Sequence, residues 1–166
     1  MDFDDIFSLI SEGSRSDWEK VANEVPAFPN GCDDFIERRW IINALDSGSK
    51  ECVKWMLERG VDLNFVDEEG FSPIHACLDR RELPDRYEIL SLLVKAGADI
   101  NLRGFNGWTP LHMAAARADL EGVRLLLGYG ADRSIKTIID DDADPAEEAE
   151  RLGQHEAAQI IRNYKQ

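Results

Sequence analysis

Three histidines, three cysteines and a run of aspartates are the residues whose types could support acid–base, nucleophilic or metal chemistry. His75 and His112 each follow a hydroxyl-Pro-apolar triplet, Ser72-Pro73-Ile74 and Thr109-Pro110-Leu111. Recurrence in one local pattern assigns both to architecture rather than to proton transfer. His155 has no Cys or His at ligand spacing. Asp140-Asp141-Asp142 with Asp144 suggests a calcium loop, but such a loop needs alternating ligands, a central Gly and a distant bidentate Glu. The run reads instead as a solvated acidic loop. Cys32, Cys52 and Cys77 lie 20 and 25 residues apart, which fits neither a disulfide framework nor a zinc knuckle. Cys52 and Cys77 sit in apolar helical patterns and read as small buried thiols, as suits a reducing cytoplasm. No Gly-rich phosphate loop, nucleophile elbow or Cys–His nucleophile pattern occurs. The expectation is a non-enzyme with no cofactor and no resident metal.

The elements that carry these residues repeat. Gly60 and Gly97 lie 37 positions apart, and Gly97 and Gly130 lie 33 apart. Each opens the same phrase: Gly60-Val61-Asp62-Leu63-Asn64, Gly97-Ala98-Asp99-Ile100-Asn101 and Gly130-Ala131-Asp132. Ser72 and Thr109 can cap a helix start. Pro73 and Pro110 then take the first helical position, where a missing N–H costs nothing. Gly60, Gly97 and Gly130 suit helix ends, and Gly70 and Gly107 suit tight turns. The unit is turn, short helix, longer helix, turn. Trp55, Met56 and Leu57, Leu92 and Leu93, and Leu125 and Leu126 recur as the core that stacks one unit on the next.

The unit from Gly107 to Ala131 closely resembles the ankyrin repeat, with its Thr-Pro-Leu-His-x-Ala motif and period of about 33 residues. The preceding unit matches with Ser for Thr and Ile for Leu. Its four extra residues fall between its helices, around Asp79 to Arg86, where Pro84 supports a loop. Arg39 to Leu45 with Gly48, and Asp144 to Ala149 with Gly153, are weaker units assigned by register. The resemblance covers residues 34–163. It implies an all-α solenoid of helix-turn-helix units with projecting β-turns and a helical N-terminal cap. The divisions are residues 1–33 as cap, 34–66 as a degenerate repeat, 67–103 as a repeat with an inter-helix insertion, 104–137 as a third repeat and 138–166 as a C-terminal capping repeat. Ile6, Phe7, Leu9 and Ile10, then Trp18, Val21, Ala22 and Val25, have helical spacing in the cap. A separate functional arm is the alternative for that segment. The resemblance also implies a structural hydrogen-bonding role for His75 and His112.

With 166 residues, 43% of them hydrophobic, the chain can bury one continuous core. Its net charge of -14 repels nucleic-acid phosphates and anionic lipid and attracts basic protein surfaces. Solubility alone would also account for the acidity. The start, Met1-Asp2-Phe3-Asp4-Asp5, has no basic region and no apolar run of leader length. No stretch approaches membrane-spanning length. A cytoplasmic protein, monomeric when free, is expected.

Partners of such solenoids usually meet the projecting turns and first helices. Carried over by register, the partner-binding positions are Glu68, Glu69, Phe71, Asp79 and Arg80. In the next repeat they are Arg103, Phe105, Asn106, Trp108, Ala116 and Arg117, and in the last Asp140 and Asp141. Phe71, Phe105 and Trp108 can anchor an interface or pack on the neighbouring turn. The expected partner is another protein with a basic surface, neither nucleic acid nor membrane. Three roles compete: occluding inhibitor, resembling a bacterial immunity protein; general adaptor; and enzyme or metal-binding stress protein, for which catalytic groups are missing.

Overall fold

The computed structural model describes residues 1–33, 35, 37–80, 84–138 and 142–165. Among these lie ten α-helices in five consecutive pairs. They are α1 (Phe3–Glu12) and α2 (Arg15–Glu24), α3 (Trp40–Ser47) and α4 (Lys50–Glu58), α5 (Pro73–Asp79) and α6 (Arg86–Lys95), α7 (Pro110–Ala116) and α8 (Leu120–Gly128), and α9 (Pro145–Arg151) and α10 (His155–Asn163). The first helices form a row, α1 on α3, α3 on α5, α5 on α7 and α7 on α9. Behind them α4 packs on α2 and α6, and α10 on α8. The result is an all-α, paired-helix solenoid.

Local chemistry sets the helix starts. Ser72 Oγ accepts the His75 N–H, and Asp144 Oδ1 accepts the N–H groups of Ala146 and Glu147 at 2.9 Å each. Such caps satisfy donors that the helix itself cannot. Gly60, Gly97 and Gly130 end the second helices at φ 69°, 98° and 88°, a region that side chains rarely adopt. Just beyond, Asp62, Asp99 and Asp132 each fold the chain by accepting the N–H two residues on, at 2.8–2.9 Å. Asn64 Oδ1 then accepts the Asp99 N–H at 2.7 Å, and Asn101 Oδ1 the Asp132 N–H at 2.8 Å. This polar ladder joins successive units.

The connectors correct one expectation. No β-strand forms among the described residues, where the sequence reading placed projecting β-turns on the solenoid. The only pairing there is an isolated bridge between Cys32 and Arg39. Residues Asp67–Gly70 make a short turn closed by the Gly70 N–H on the Asp67 carbonyl at 3.0 Å. Residues Phe105–Gly107 wind into one turn of 3-10 helix, with Asn106 left-handed at φ 56°. Neighbouring connectors exchange single backbone bonds, Phe105 N–H to Gly70 O and Ile138 N–H to Asn106 O, each 3.0 Å. One bond per junction does not build a ladder.

The core is continuous from Ile6 to Ile161. At its N-terminal end it is aromatic: Phe28 stacks on Trp55 and meets Trp40 edge-on, both at 5.6 Å. Toward the other end it is aliphatic, built on Leu93, Leu111, Val123, Leu126 and Ile161. Of the expected core positions, Trp55, Met56, Leu93 and Leu126 are buried, while Leu57, Leu92 and Leu125 are half-buried at the edge.

Candidate functional site

Two adjoining cavities run along the row of first helices. One, of about 400 Å³, lies between α3 and α5 against Arg38, Asp46, Glu69, Phe71, Ala76 and Asp79. The next, of about 300 Å³, lies between α5 and α7 against Phe71, Phe105, Trp108, Met113 and Arg117. Phe71 belongs to both and makes the ridge between them.

Glu68 and Glu69 are exposed on the Asp67–Gly70 turn. Phe71 is half-buried, edge-on to His75 with ring centres 6.3 Å apart. Trp108 is half-buried and stacked on His112 at the same distance. Phe105 projects, 70% exposed. Its turn presses close to the one before it: a Cβ on Gly70 would come within 2.5 Å of the Phe105 Cβ. Arg103 is exposed, and Asn106 and Ala116 are half-buried. Asp79 and Arg117 form an ion pair at 2.6 Å that spans α5 and α7. Asp140 and Asp141 lie outside the described residues.

Arg80 differs from the rest. It is 7% exposed, and its guanidinium donates to the carbonyls of Ala44 and Gly48 at 3.0 Å and to that of Leu45. These carbonyls end α3, where a helix lacks internal donors. Arg80 therefore caps the neighbouring helix, and the part of it that reaches the groove is a piece of the wall of the first cavity. Arg38, Asp46 and Met113, which the sequence reading did not select, complete the groove walls. Met113 occupies the same motif position as Ala76, one residue after each histidine, so register alone could have found it.

The charges are arranged in pairs with unequal surroundings. Asp46 is paired with Arg38, yet burial holds its carboxyl above the usual range, and Asp79 and Glu69 push the same way. His75 is pushed down to about 4, chiefly by burial, and burial also lowers His112. Both rings are therefore neutral at pH 7. The Ser72 N–H donates to His75 Nδ1 at 3.3 Å, which places the proton on Nε2, and that N–H donates to the Trp108 carbonyl at 3.2 Å. The Thr109 N–H and His112 repeat the arrangement at 3.1 Å, with Nε2 donating to the Ala143 carbonyl at 3.1 Å. Each ring has both nitrogens committed to backbone, with neither left to accept a substrate proton. The thiols of Cys52 and Cys77 are pushed up to about 12 by burial, which suppresses the reactive thiolate. Among the described residues no group of three His, Cys, Asp or Glu side chains is placed to hold a metal ion. No helix among them is long and apolar enough to cross a membrane.

Residues 78–127, from the end of α5 through most of α8, match the family model described as ankyrin repeats (many copies). No curated protein matches the chain. The matched span supports the ankyrin-repeat family for the central repeats, and the paired-helix stacking extends on both sides of it.

Proposed function

We propose that this protein is a non-catalytic binding module whose partner is another protein, docked in the groove along α3, α5 and α7. The observation that carries this reading is the pair of cavities divided by Phe71 and edged by the exposed ring of Phe105. An apolar ridge in a charged surround is the usual layout of an interface anchor. The net charge of -14 favours a partner with a basic face, which it would steer at low ionic strength.

The finer reading is that docking occludes the partner's working surface, as an immunity protein does to a bacterial toxin. A small acidic chain covering a basic active face is the argument for it. The alternative is an adaptor that holds its partner without silencing it. The three free cysteines, two of them buried, suit a reducing, cytoplasmic setting, and the charge suits a monomer before the partner arrives.

The test is capture from native lysate at low salt with wild type and Phe105→Ala side by side. The reading requires a basic protein that wild type retains, that high salt weakens and that Phe105→Ala loses. Retention that ignores the substitution would overturn the groove. Titrating the purified partner with this protein then separates the two roles. Activity abolished at equimolar ratio means occlusion, and activity unchanged means an adaptor.

A further inference from the structure

We propose that the cavity at the N-terminal end of the row is a second anchoring subsite, which takes an arginine or lysine side chain of the same partner. This rests on the groove reading above. The cavity, about 710 Å³, lies between α1 and the segment leading into α3. Its apolar wall includes Phe3, Phe35 and Trp40, with Phe3 stacked between the other two at 5.5 and 5.9 Å. Met1, Asp2, Asp4 and Glu24 also line it, and among the described residues no lysine or arginine does.

That charge balance sets it apart. Each of the other four cavities described carries at least one arginine. Those arginines are committed to neighbours: Arg38 to Asp46, Arg39 to Asp62, Arg86 to Asp119, Arg117 to Asp79, and Arg80 to the end of α3. Here three carboxylates border an aromatic cavity, and the one cationic group among its described lining residues is the Met1 amino terminus, which leaves the wall net negative. A purely apolar ligand would desolvate those carboxylates without compensation. An anion would be repelled. A side chain with an alkyl stem and a cationic head satisfies both surfaces: the stem lies against Ile6 and Val25, and the head meets the exposed Phe35 ring and the carboxylates.

Position argues for a protein side chain rather than a free metabolite. Cys32 lines this cavity and also the adjoining one, which Arg38 and Glu69 share with the groove. The subsite thus neighbours the groove along the same row, divided from it by Cys32 and then by Arg38 and Glu69, and a partner lying across these walls would meet both.

Cys32 is exposed while Cys52 and Cys77 are buried, so a thiol reagent applied to the native protein reports on Cys32. The probes are acetylated, amidated Leu-Arg-Leu and its citrulline counterpart, which has the same shape without the charge. The arginine peptide should slow the thiol reaction saturably, with the citrulline peptide about fivefold weaker, the size of one exposed cation–π contact. The Asp4→Asn/Glu24→Gln variant should lose that difference with an unchanged melting curve. Neutralising exposed carboxylates elsewhere, in Glu121→Gln/Glu156→Gln, should preserve it. Equal protection by the two peptides, no saturable protection, or equal loss in the remote variant would each overturn the subsite. Phe105→Ala separates the two proposals, because a tripeptide does not span to the groove. Protection that persists there supports an independent subsite even where partner capture fails, and protection lost there overturns it.

Discussion

Helices α5 and α7 begin alike, with Ser or Thr, then Pro, then a histidine whose ring bonds the next connector. Helix α3 begins differently. Its N-cap is Arg39, which makes no side-chain cap, and buried Asn43 donates instead to buried Asp33 at 2.9 Å. The contrast continues inward. The N-terminal end is filled by Trp18, Phe28, Trp40 and Trp55 in ring-to-ring contact, with the Trp18 N–H on the Leu9 carbonyl and the Trp55 N–H on Glu19. The C-terminal units are filled by leucines and alanines at equivalent positions. One end thus holds its register through repeated polar junctions, and the other through interlocking large rings that need no repeat. The two solutions meet at Arg80, which leaves the end of α5 to cap α3.

If both ends belong to one cooperative core, removing a large buried side chain from either should unfold the whole. Trp55→Ala should cost roughly 3–5 kcal/mol and Leu126→Ala roughly 2–5 kcal/mol. Urea denaturation followed by circular dichroism would read both. A single transition shifted in each variant supports one core. A biphasic curve in Trp55→Ala alone would mean that the aromatic end folds as a separate unit.

Acid should distinguish the two ends. All three histidines lie in α5 or later helices, and His75 and His112 are buried there. The folded pKa of His75 is depressed from 6.5 to about 4 by burial. The unfolded chain therefore takes up a proton first. This contribution is fully present above about pH 6.5 and is lost as pH falls toward 4. A depression of that size is worth about 3 kcal/mol. His75→Gln should flatten the decline in stability between those limits. Hydrogen exchange at pH 5 should show α5 to α8 opening before α1 to α4. The reverse order would break the assignment of the histidine junctions as the acid-labile element.

Arg80 tests the seam. Arg80→Met removes the guanidinium from the carbonyls at the end of α3, of which only that of Ala44 keeps a named backbone donor, the Gly48 N–H, and should cost about 1–3 kcal/mol. Arg80→Lys should recover only part of this, since one ammonium cannot reproduce the fork that bonds three carbonyls. Full recovery by lysine would mean that charge, rather than geometry, joins the two ends.

What could be read beforehand follows the same division. The helix starts at Ser72 and Thr109 were legible because capping is local chemistry, fixed by a few adjacent residues. The glycine ends were legible for the same reason. The connectors were not, because whether a loop pairs as β or winds as 3-10 depends on the neighbouring loop, as Asn106 and Ile138 illustrate. The second role of Arg80, as the cap of α3, was not legible because register counts positions and says nothing of where a side chain reaches. Its side chain reaches a helix more than thirty residues upstream. Arg38 and Asp46 lie in the unit without the motif, so nothing in their spacing marked them as groove walls. The roles of Asn64 and Asn101 as links between units were written in the phrase itself and were overlooked because only its glycine had been given a function.

The smallest expected effect on stability belongs to the residue with the largest expected effect on binding. Phe105 is 70% exposed on a connector whose backbone bonds do not use its side chain. Phe105→Ala should change folding stability by no more than about 0.5 kcal/mol, the usual range for surface positions. Loss of an anchoring aromatic from an interface typically costs about 2 kcal/mol or more, which is roughly a thirtyfold weaker complex. Differential scanning calorimetry on the free variant and titration calorimetry against the captured partner measure the two quantities. If the ring instead serves to pack neighbouring connectors, the ordering reverses: melting falls and affinity holds. The close approach of the Gly70 turn to the Phe105 backbone makes that a fair contest, because the connector is held tightly while its ring is not.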